Sequence, residues 1–82
     1  MELEETVREA VKVFGLRGCH VFRVADRTQV YIHFLNKNEK YEQIEIVPEE
    51  VDERTGNLSV EALRDEIARK LESGDTKLIS ES

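Results

Sequence analysis

Eighty-two residues, 39% hydrophobic and 37% charged with a net charge of −6, suffice for one domain with a thin core between two layers of secondary structure. That leaves little room for a second domain and argues against a deep substrate cavity, and no apolar run approaches the roughly 20 residues of a membrane-spanning helix. One cysteine, Cys19, excludes an internal disulfide, and without a leader-like pattern the chain is expected to be cytoplasmic and reduced.

The charge is unevenly spread. Residues 1–7 carry three acids and no base, residues 8–40 seven bases against three acids, and residues 41–82 five bases against twelve acids. The middle is mildly basic and the second half strongly acidic. The charged set is mostly Glu, Arg and Lys and Gln is scarce, a usage that leans towards a thermophilic source.

In "LEETVREAVKVFG" the residues Leu3, Val7, Ala10, Val11 and Phe14 fall on one helical face, and Gly15 is placed to end the helix near Phe14. Like charges at i+4 spacing (Glu5 with Glu9, Arg8 with Lys12) offset the favourable Glu4–Arg8 pair, so surface pairing adds little. Three runs follow, "CHVFRVA", "QVYIHFL" and "YEQIEIV", rich in β-branched and aromatic residues and separated by "ADRT" and "NKNEK". They read as an antiparallel meander. Pro48 ends the third strand, and residues 49–53 are open to a short helix or an edge strand. "SVEALRDEIARKLESG" is a second amphipathic helix with Ser59 as N-cap, Val60, Leu63, Ile67 and Leu71 as its buried stripe, Ala68 beside it, and Gly74 as its stop.

The expected architecture is a two-layer α+β domain, α-β-β-β-α, with a three-stranded antiparallel meander and two helices packed on one face. Residues 1–74 form the domain and residues 75–82 a flexible C-terminal tail.

Cys19, His20 and His33 raise the question of a ligand set. Neighbouring strand residues point to opposite faces, so Cys19 and His20 cannot share a ligand. For the first hairpin, partners summing to 54 match Val24 with Val30, Phe22 with Ile32 and His20 with Phe34, which makes one face consistently apolar. Partners summing to 53 oppose His20 to His33 and split the apolar residues. Burial selects the even register, sending His20 inward and His33 outward. No metal site, cofactor site or catalytic constellation follows, and Cys19 reads as a small half-buried apolar group.

The acidic run Glu42, Glu45, Glu49, Glu50, Asp52 and Glu53 lacks the ligand spacing of a calcium loop and reads as a solvated face. The element order α-β-β-β-α resembles that of the double-stranded RNA-binding domain. That resemblance implies phosphate contacts from the start of the second helix, from the first helix and from the first strand turn. Arg8, Lys12 and Arg27 occupy the latter two regions. The second helix opens instead with Glu61, Asp65 and Glu66, which repel phosphate, so nucleic acid is the disfavoured alternative.

In the even register the sheet face away from the helices carries Val21, Arg23, Tyr31, His33, Leu35 and Val47, with Gln43 and Glu45, more apolar than a solvated surface. The sequence therefore points to a small non-enzymatic protein-interaction or regulatory module that self-associates, as a homodimer, through that face or a sheet edge.

Overall fold

The computed structural model describes residues 2–79. Its elements are α1 (Leu3–Val11), β1 (Arg17–Arg23), β2 (Val30–Leu35), β3 (Tyr41–Ile46), α2 (Pro48–Thr55), α3 (Val60–Ser73) and β4 (Lys77–Leu78). The strands form one antiparallel sheet in the order β1-β2-β3-β4. The α+β meander is therefore present, extended by a third helix and a short fourth strand. No helix among the described residues is long and apolar enough to cross a membrane.

The apolar spacing of α1 buries Val7, Ala10 and Val11, and the buried Thr6 turns its hydroxyl onto the Glu2 carbonyl at 3.0 Å. A single 3-10 turn, Lys12–Phe14, tightens the end, and Gly15 closes it at φ 60° with its N–H donating to the Lys12 carbonyl. Ser59 caps α3 by accepting the Ala62 N–H at 3.1 Å. Residues 49–53 are helical: Pro48, whose missing N–H costs nothing in a first turn, starts α2, and Val51 reaches the core.

The core lies between the helices and the inner sheet face. Val30, Ile32, Ile44 and Ile46 are fully buried there, against Val7 and Ala10 of α1, Val51 of α2, and Leu63 and Ile67 of α3. β2 and β3 pair regularly, with Ile32 opposite Ile44 and Tyr31 opposite Glu45.

The first hairpin departs from the expected register. Arg17 pairs with Leu35, but His20 pairs with His33, Val21 with Ile32 and Phe22 with Tyr31, so the partner numbers sum to 53 beyond one irregularity. The cause is a β-bulge between Arg17 and His20, where Gly18 sits at φ 56° and strand β1 gains one residue over β2. The extra residue reverses the faces. Cys19 and Val21 turn inward against the core, Arg23 lies opposite the buried Val30 on the helix side, and His20 and Phe22 turn outward. The assignment of Val21 and Arg23 to the outer face is thus overturned, as is the separation of His20 from His33.

Part of the expected tail joins the sheet. Lys77 and Leu78 pair with Gln43 and Glu42, and the Ile79 N–H donates to the Tyr41 carbonyl at 2.9 Å. Residues 80–82 of the expected flexible tail lie outside the described residues.

Candidate functional site

On the outer sheet face, alternation brings Phe22 of β1 beside Tyr31 and His33 of β2. The Phe22 and Tyr31 ring centres are 5.7 Å apart, and the His33 ring meets Phe22 edge to face at 4.8 Å. His33 Nε2 is 2.9 Å from Gln43 Oε1, which fixes the imidazole across β3. Leu35 and Tyr41 close over Gly18: a Cβ there would lie 3.1 Å from Leu35 Cδ1 and from the Tyr41 hydroxyl. The bulge therefore both turns Phe22 outward and makes room for its neighbours.

Of the expected interaction residues, Tyr31, His33 and Leu35 come together on this face. Val47 lies half-buried at the entry to α2, and Val21 and Arg23 lie on the other side. Phe22, His20 and Tyr41 were missed. The available signal was Gly18, since a glycine inside a strand pattern marks a bulge.

His20 and His33 do oppose one another across the hairpin. Two imidazoles half-ligate a tetrahedral ion, and among the described residues no group of three His, Cys, Asp or Glu side chains could hold one. Burial pushes the Cys19 thiol above its ordinary pKa, so less of it is the nucleophilic thiolate.

The charges divide by layer. The helical segments, residues 2–14 and 48–73, hold twelve acids against six bases, a net −6. The sheet and its loops, residues 15–47 with 74–79, hold five acids against six bases, a net +1. The acidity belongs to the side away from the aromatic cluster. Glu66, expected to repel phosphate from the surface, is buried instead, its side chain 1% exposed. It pairs with Arg54 of α2, with Arg69 at 3.2 Å and with Lys70 at 3.7 Å, and Lys70 also meets Asp75 at 3.3 Å. This cluster ties α2 to α3.

The alternative nucleic-acid residues do not converge. Arg8 of α1 and Lys12 of the turn that follows it pair with Glu4 and Glu9 respectively. Arg27 lies in the loop after β1, at the far end of that strand from Lys12, which neighbours Gly15 and Leu16.

A second concave surface runs between α1 and β1. It is a cleft of about 690 Å³ with Val11, Leu16, Cys19 and Val21 along its floor and Arg8 and Lys12 at its rim. Comparison of the chain with family models, with curated proteins and with solved structures returned no match.

Proposed function

We propose that the chain is a non-enzymatic interaction module that pairs with a second copy of itself through the outer sheet face. The observation that carries this reading is the Phe22, Tyr31 and His33 cluster, flanked by Leu35 and Tyr41, on the face opposite the helices. Charge supports a second copy as the occupant. The sheet layer is nearly neutral, so two such faces approach without strong repulsion, whereas two helical layers at −6 repel one another. Aromatic and aliphatic groups packed face to face across two sheets also supply the apolar centre an interface needs. A free cysteine and no disulfide fit a reducing, cytoplasmic setting.

Sedimentation of the wild type and of the variant Tyr31→Ser with Leu35→Lys, each checked by circular dichroism, tests it. The wild type should show a concentration-dependent dimer and the double variant a folded monomer. A wild type that stays monomeric, or a variant that associates as strongly, overturns the reading. Duplex RNA binding that falls steeply with salt would replace it with the nucleic-acid alternative.

A further inference from the structure

The cleft beside β1 goes beyond that reading, because it lies at the sheet edge beneath α1 and meets the outer face only through His20 and Phe22. The direction of the backbone groups along this edge follows from the ladder. The Ile79 N–H donates to the Tyr41 carbonyl, so the polar groups of Tyr41, Gln43 and Glu45 point towards β4. In an antiparallel sheet a residue's N–H and C=O point the same way, and successive residues alternate. Through the observed registers, Ile44 and Ile46 then face β2, Tyr31 and His33 face β1, and Phe22 and His20 return those bonds. The N–H and C=O of Val21 are left pointing out of the sheet, into the cleft.

One of these acceptors is already in use. Arg8 reaches from α1 to donate to the Val21 carbonyl at 3.2 Å. This long, exposed contact occupies the position an incoming backbone N–H would take. It protects the edge when nothing is bound and is easily displaced.

We propose that the cleft between α1 and β1 takes an extended acidic peptide segment of a partner protein, added to β1 as a fifth strand. The backbone edge supplies hydrogen bonds, and the floor of Val11, Leu16 and Val21 receives alternate apolar side chains. Charge selects the occupant. β1 carries Arg17, His20 and Arg23 and no acid, and the rim adds Arg8 and Lys12. A second copy of β1 would bring like charges together, whereas an acidic strand meets opposite ones. The ion pairs of Arg8 and Lys12 with Glu4 and Glu9 are exposed and hold these cations only weakly. Among the described residues the opposite edge offers no equivalent, since the cleft beside Glu45 and Lys77 measures about 160 Å³.

The probe is a blocked hexapeptide of alternating valine and glutamate, titrated into the nitrogen-15-labelled full chain. Saturable shifts should centre on the amides of residues 16–23 and on Arg8 and Lys12, and the lysine counterpart of the peptide should give none. Two further peptides, N-methylated on one or the other alternate set of residues, should differ, because only one set faces β1. The exposed change Lys12→Glu should weaken the acidic peptide by about tenfold or more, as a like charge placed against it. Four results overturn the proposal: no shifts at all, shifts on Tyr31, His33 and Leu35 without the edge, equal binding of both methylated peptides, or a single-stranded oligonucleotide moving the same amides where the peptide does not. Because neither Tyr31 nor Leu35 lines the cleft, the outer-face double variant should still bind the peptide, which separates failure of this proposal from failure of the self-association reading.

Discussion

The two faces of the sheet are built from the same strands and differ in almost every physical respect. Inward, Val30, Ile32, Ile44 and Ile46 are stiff, β-branched and completely withdrawn from water beneath the helices. Outward, Phe22, Tyr31, His33 and Gln43 are planar, half-buried and joined by ring edges and one polar contact. Over β2 and β3 the inner face is closed by this chain alone. The other packs against itself sideways and leaves its upper surface open, which is what an interface requires of a folded module.

Adjacent residues of β2 break or sharpen this contrast most directly. Ile32→Ala removes a fully buried branched side chain and leaves a cavity, so it should cost about 2–5 kcal/mol, a large part of the roughly 5–15 kcal/mol that stabilises a domain. Tyr31→Ala loses its ring pairing, worth about 0.5–1.5 kcal/mol, together with some half-exposed area. Urea unfolding at low protein concentration, where self-association is absent, measures both. Equal losses would mean that the outer face is sealed like a second core.

The next expected effect is at the bulge that assigns residues to faces. Gly18→Ala must hold a Cβ at φ 56°, which costs about 1–2 kcal/mol for an L-residue, and it must displace Leu35 and the Tyr41 hydroxyl from 3.1 Å. Unfolding should show that loss, and the Leu35 methyl resonances should shift. A variant as stable as the wild type, with those resonances unmoved, would mean that the bulge does not set the outer face.

This position also marks where the sequence stopped being legible. Helical periodicity located α1 and α3 and their ends, because 3.6-residue spacing, Gly15, Ser59 and Gly74 each act locally. The β2–β3 face assignment was legible too, since Val30, Ile32, Phe34, Ile44 and Ile46 alternate without interruption. The β1 assignment was not. Maximising apolar residues on one face favoured Phe22 inward, but a bulge changes parity within a strand, and Val21 and Cys19 pack against the core in its place, each only partly buried. Glu66 was misread for a related reason. Its partners at i+3 and i+4 were visible, yet Arg54 comes from another helix, and only tertiary packing shows that the carboxylate is enclosed.

The smallest expected effect concerns the far edge, where the sheet is fastened by polar contacts instead of apolar burial. Glu42 accepts the Thr76 hydroxyl at 2.6 Å and the Asn36 side-chain amide at 2.7 Å. The Thr76 bond first, and then the Asn36 bond, hold its carboxyl below the usual glutamate range, with burial opposing them. A carboxyl whose folded pKa is lowered adds stability above its unfolded value, about 4.3 for glutamate, and that contribution is lost as pH falls through the folded value. Thr76 leads directly into β4, so protonation of Glu42 should loosen β4 before it disturbs the inner face. The protection factor of the Ile79 amide, bonded to the Tyr41 carbonyl, should therefore fall on acidification while that of Ile32 holds. Glu42→Leu should give the loosened edge at neutral pH and remove the acid dependence. If Ile79 stays protected through the acid range in the wild type, the carboxylate charge is not what fastens this edge, and the short ladder of β4 holds on its backbone bonds alone.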